Sequence, residues 1–105
     1  MAQFSVYHNK NAHTKKEYPF LLEVQSNLLS ELTTTVVVPF VKYEDGRTKI
    51  LNRLTPVFTL GQDDYIMLTP QMAGIQRQAL GRLAFELEHA RTDIVGAIDF
   101  LISGV

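Results

Sequence analysis

A chain of 105 residues, 46% hydrophobic and 20% charged, suits one compact domain spanning residues 1–105, large enough to fold around a single core. Ten basic residues against eleven acidic ones leave a net charge of −1, which removes the bulk pull toward a phosphate backbone and argues against a nucleic-acid binder. Cysteine is absent, which excludes disulfides, thiolate catalysis and cysteine zinc sites. The start MAQFSVYHNK has no apolar signal-peptide core, and no apolar run reaches the roughly 18 residues of a spanning helix, so no membrane partner is expected and the cytoplasm is the expected compartment.

The first two-thirds reads as β. Phe4, Val6 and His8 alternate with Ser5 and Tyr7, which predicts a short strand with one inward face. The polar stretch 9–19 is a loop. Phe20–Gln25 (FLLEVQ) is apolar enough for a central strand. Ser26-Asn27 either turns the chain or caps one helical turn holding Leu28 and Leu29. Thr33–Val41 (TTTVVVPFV) is β-branched and predicts a strand, with Pro39 marking an edge, bulge or bend because it has no N–H to donate. Glu44-Asp45-Gly46 predicts a turn joining Val41–Tyr43 to Thr48–Leu51 in a small hairpin. Thr55–Leu60 and Tyr65–Thr69 form a second hairpin around Gly61-Gln62-Asp63-Asp64, and Met72–Gln76 a last short strand.

The end of the chain changes period. Leu83, Leu87, Ala90, Ile94, Ala97 and Leu101 recur every three or four residues, one face of a C-terminal helix. Glu86, Glu88, Arg91, Asp93 and Asp99 cover the opposite side. A second apolar row, Val95, Ile98, Ile102 and Val105, is rotated from the first by about 100°. It is either a wider contact with the chain's own sheet or a surface for a partner.

Chemistry-bearing motifs are sparse. His89 and Asp93 stand four apart, on one face of the predicted helix, and amount to part of a general base or a solvated pair. Asp63-Asp64 and Glu44-Asp45 are acidic pairs in turns, where Asp is favoured for local reasons, and match no calcium-loop pattern. Arg77 and Arg82, near Gly74 and Gly81, are either an anion clamp or solvated loop charges. Nucleophile-elbow, phosphate-loop and dinucleotide motifs are absent. No catalytic residue, metal or cofactor is expected.

Five stretches carry a resemblance: QFSVY at 3–7, VQSNLL at 24–29, VVVPF at 36–40, IMLTPQMAGI at 66–75 and DIVGAIDFLISGV at 93–105. In this order and spacing they resemble the CcdB toxins of type II toxin–antitoxin pairs. The resemblance spans nearly the whole chain, apart from the loop 9–19 and the hairpin 42–54.

It implies a mainly β fold, an SH3-like barrel with a small wing sheet and a C-terminal α-helix. It also implies a homodimer that binds the A subunit of DNA gyrase and traps its cleaved DNA complex. The protein would be a stoichiometric inhibitor rather than an enzyme, neutralised by a CcdA-like antitoxin. By motif, the gyrase contacts would be Leu28, Leu29, Asp99, Ile102, Ser103, Gly104 and Val105. The dimer contacts would be Ile98, Ile102 and Val105, with the Ile94/Leu101 row facing inward. The antitoxin would take the wing, at Lys42, Tyr43, Glu44, Arg47 and Lys49. One departure stands out. The best-studied plasmid-borne member ends Trp-Gly-Ile, with the Trp as gyrase anchor, and this chain ends Ser103-Gly104-Val105, which suggests a chromosomal-type member. Two alternatives are a degenerate relative that binds antitoxin but not gyrase, and an endoribonuclease of the similarly folded MazF type.

Overall fold

The computed structural model describes residues 3–44 and 53–104. Seven strands and one helix follow in order: β1 (Ser5–Asn9), β2 (Phe20–Glu23), β3 (Thr34–Lys42), β4 (Val57–Leu60), β5 (Asp63–Met67), β6 (Ala73–Gln76), β7 (Leu80–Glu86) and α1 (Arg91–Ser103). The fold class is the mainly β one expected, with a C-terminal helix. The strands form one antiparallel sheet in the order β4-β5-β3-β2-β1-β7, with β6 also paired to β3. The predicted strand Thr48–Leu51, and with it the wing, lies outside the described residues.

β3 organises the sheet. Along one side it pairs with β2, Val37 opposite Glu23 through Phe40 opposite Phe20. Along the other side it has two partners in turn: Thr34–Val37 pair with β6, and Phe40–Lys42 with β5. Pro39 falls at the switch. It is neither an edge nor a bend, because its missing N–H lies where β3 has left one partner and not yet met the next. Its carbonyl still accepts from Leu68 N at 3.0 Å.

Alternation sends Val6, Leu22, Val38, Phe40 and Met67 to one face, where Phe4, Leu87, Ile94 and Ala97 close the core. Tyr7, Leu21, Val37 and Leu80 form a smaller cluster on the other face. Phe4 takes a left-handed φ of 69° while buried. It is held there by its N–H on Glu23 O, its carbonyl under Leu87 N, and the Arg91 guanidinium over its ring.

Two expectations are corrected. The helix does not begin near Leu83: residues 80–86 are β7, paired with β1, and α1 starts at Arg91 after a 3-10 turn at Glu88–Ala90. Register shifts between Val6 and Tyr7 and between Tyr7 and Asn9 break the two-residue alternation, so Phe85 packs against the main core while Leu83, two residues before it, is exposed. Without that alternation the leucine spacing imitates a helix. These irregularities also increase strand twist and help curl the sheet around α1. Second, Asp63 and Asp64 belong to β5 rather than to the turn, which is the pair Gly61-Gln62 with Gly61 at φ 71°.

Gly81 sits where β7 crosses β1. A Cβ built there would lie 2.7 Å from His8 O and 3.1 Å from His8 Cβ. Gly74 has open space around it. Gly81→Ala is expected to cost about 1–3 kcal/mol by overpacking, and Gly74→Ala to stay within about 0.5 kcal/mol of the parent. Urea denaturation of the two variants side by side checks this.

Candidate partner-binding surface

The loop between β2 and β3 begins with a capped turn. Ser26 Oγ accepts from Leu28 N at 3.1 Å, and Asn27–Leu29 form a single 3-10 turn. Of the two readings of Ser26-Asn27, a chain turn or a capped helical turn, this is the second. Its leucines point outward: Leu28 is 94% exposed and Leu29 47%. The turn is tied to the N-terminus, since Asn27 Oδ1 accepts from Gln3 N at 2.7 Å. Gln3 Oε1 in turn accepts from Arg91 Nη1 at 3.2 Å, at the first turn of α1.

Along α1 the two apolar rows divide differently from the expectation. Ile94 and Ala97 are buried, and Val95 and Ile98 pack partly against the same core. Leu101, expected to face inward, is exposed, and Ile102 is 75% exposed. Burial therefore changes along the axis as well as around it: Ile94 to Ile98 lie on the core between exposed Asp93 and Asp99, and residues 101–104 stand clear. Ile98 is shared between the protein's own core and any outer contact. Asp99 and Gly104 are exposed. Ser103 Oγ donates to Asp99 O at 2.7 Å, so its hydroxyl is folded back onto the helix. Gly104 ends the helix in the left-handed conformation, φ 76°, with its N–H on Phe100 O. Val105 lies outside the described residues.

The expected gyrase residues thus form two separate groups in one protomer. The Gln3 bridge places Leu28 and Leu29 beside the start of α1. Ile102 is eleven residues further on, about 16 Å at 1.5 Å per residue. Of the expected antitoxin residues, Lys42 lies 3.8 Å from Asp63 across the β3–β5 pair with both side chains half exposed, and Tyr43 N donates to Asp64 O. Glu44 follows on the surface. Arg47 and Lys49 lie outside the described residues.

The remaining candidates resolve into structural roles. His89 is exposed on the 3-10 turn while Asp93 is in α1, so they do not share one helix face. Asp64 accepts from Thr59 Oγ1 at 2.6 Å. Among the described residues no cluster of three metal-ligating side chains occurs. Arg82 is exposed, but Arg77 is neither an anion clamp nor a solvated charge. Its Nη1 is 2.7 Å from Glu23 Oε2, with both side chains largely buried. The same oxygen accepts from Thr35 Oγ1 at 2.6 Å, and Arg77 Nε donates to Leu32 O at 3.1 Å. Glu23 Oε1 has no hydrogen-bond partner among the described residues. The spacing of Arg77 from Glu23, 54 residues, gave the sequence no signal for this pair.

These features sit in a chain whose residues 3–104 match the family described as CcdB protein. The chain belongs to the CcdB family. Its membership makes it a toxin of a toxin–antitoxin pair, the role the motif order implied. The CcdB motifs VQSNLL and DIVGAIDFLISGV coincide with the two exposed apolar groups, Leu28–Leu29 and the last turn of α1.

Removing Arg77 while leaving Glu23 in place strands a buried carboxylate. Arg77→Met is expected to lose about 3–5 kcal/mol of stability, and adding Glu23→Gln to recover most of it. Equilibrium unfolding of the single and double variants tests this, and an unchanged midpoint in Arg77→Met contradicts it.

Proposed function

We propose that this CcdB-family toxin binds the A subunit of DNA gyrase and holds the enzyme on cleaved DNA. It acts as a stoichiometric inhibitor rather than by catalysis. The observation that carries this reading is the exposure of Leu28, Leu29 and Ile102, at the positions the family motif gives to gyrase, in a protein whose core is complete without them. A fully buried leucine is worth about 1.5–3 kcal/mol relative to an exposed one. These side chains leave that energy unused until a partner covers them.

A homodimer belongs to the same reading. Its contact would run through Ile98, Ile102 and Val105, with Ile98 also packing on the protein's own core and Ile102 free of it. The leucine turn is tied through Gln3 to Arg91, at the opposite end of α1 from Ile102. A two-fold axis doubles each group and can set one protomer's turn beside its mate's C-terminus, giving a self-complementary platform. A CcdA-like antitoxin is the proposed neutralising partner, at the surface around Lys42, Tyr43 and Glu44 and the wing residues Arg47 and Lys49. The cytoplasm, where gyrase acts, is the proposed place of action.

The test is direct. Purified protein at micromolar concentration is expected to inhibit gyrase supercoiling and to capture a gyrase A fragment. Leu28→Ala and Ile102→Ala are each expected to weaken capture by about tenfold or more, a loss of over 1 kcal/mol apiece. Their melting temperatures should stay within about 2 °C of the parent, as exposed positions allow. Untouched supercoiling together with no captured fragment would overturn the proposal.

A further inference from the structure

The loop from Ser26 to Thr33 carries a third leucine that the family motif does not account for. Leu32 is 50% exposed, and every residue from 27 to 33 is exposed. A loop with no buried side chain ordinarily has little to hold it still. This one is restrained by polar groups from four directions. Ser26 caps the turn, and Leu32 N donates to Leu29 O at 3.1 Å. Gln25 Nε2 reaches Leu29 O and Thr34 O, at 3.4 and 3.3 Å, clamping the two limbs together. Gln3 N holds Asn27. Arg77, reaching from beyond β6, takes the far limb twice: Nε donates to Leu32 O and its backbone N to Thr33 O at 2.8 Å.

We propose that this loop is a preorganised docking knob in which Leu32 is a third gyrase contact and Arg77 is its positioning residue. The proposal rests on the gyrase reading above. A polar frame that leaves Leu28 almost fully exposed and Leu29 and Leu32 about half exposed adds little apolar burial to the fold. It is useful to binding, because the ordering cost is met before the partner arrives. Arg77 suits the task because its planar fork bonds Leu32 O through Nε while Nη1 is anchored on the Glu23 carboxylate. The anchor is itself fixed by Thr35, inside the sheet. The knob is thus bolted to the core through side-chain charge rather than through apolar packing.

The experiment measures association and dissociation rates for the gyrase A fragment with four proteins: the parent, Leu28→Ala, Leu32→Ala and Arg77→Lys. Lysine keeps a charge for Glu23 but has no Nε–H for Leu32 O. Leu32→Ala is expected to weaken binding about fivefold or more. Arg77→Lys is expected to weaken it about three- to tenfold, mainly through slower association, with faster amide exchange confined to residues 28–33. If Leu28→Ala weakens binding while Leu32→Ala and Arg77→Lys bind like the parent, the knob inference falls and the gyrase reading stands. If no variant and not the parent binds, the gyrase reading falls and takes the inference with it. Should Arg77→Lys lower the melting temperature, Leu32→Ala, at an exposed position, decides alone.

Discussion

The fold depends on how β3 shares its backbone groups. Val37–Phe40 pair with β2 along one side, while along the other the strand passes from β6 to β5. A central strand cannot normally hold a proline, because each interior N–H is owed to a neighbour. Here the change of partner leaves one position with no such obligation, and Pro39 occupies it. The same fork splays β5 and β6 apart. The 3-10 turn at Thr69–Gln71 fills the gap between them, and α1 packs against that turn. Placement of the helix, and so of its free last turn, follows from a hydrogen-bonding constraint in the middle of the sheet.

From that frame two apolar groups project, and they are held in different ways. The end of α1 is presented by length: the helix outruns the core by about one turn, and Gly104 stops it there. The leucine loop is presented by polar restraint, which ends on the Glu23–Arg77 pair. Buried ion pairs are poor sources of net stability, because desolvation offsets most of the attraction. Glu23 has the further cost of an oxygen with no partner among the described residues. What the pair does supply is a fixed geometry between β2, the end of β6 and the loop. A well-packed apolar pair at the same place would give up the directed bond from Arg77 to Leu32 O.

Much of this was legible from residue pattern alone. The β-branched run made β3 plain, the Ser26 cap announced the leucine turn, and the motif order pointed to the family. The losses have physical causes. β7 was invisible because its register shifts against β1 destroy alternation, and the leftover leucine spacing matched a helix. Leu101 was misplaced because periodicity reports which side of a helix a residue takes, not whether any sheet extends that far beneath it. Arg77 looked solvated because ion pairing between residues 54 apart in sequence leaves no local trace. Local spacing carries periodic information; the end of a core and the partner of a charge are properties of the assembled chain.

Ser103 is where these lines meet. The resemblance sets Ser103 where a plasmid-borne member would carry an anchoring Trp, and a buried Trp supplies area that a Ser does not. Here the hydroxyl's hydrogen is already donated to Asp99 O within the helix, which leaves only its oxygen to accept from a partner. The apolar area left at this end comes from Leu101 and Ile102, both free of the core. On the proposed reading, binding energy lost at position 103 must be recovered elsewhere on the platform, and the exposed area that can supply it is the leucine loop. A rigid loop with a third leucine is then the counterpart of a missing aromatic. On that reading the contact shifts its weight from the helix end toward a knob braced by Arg77.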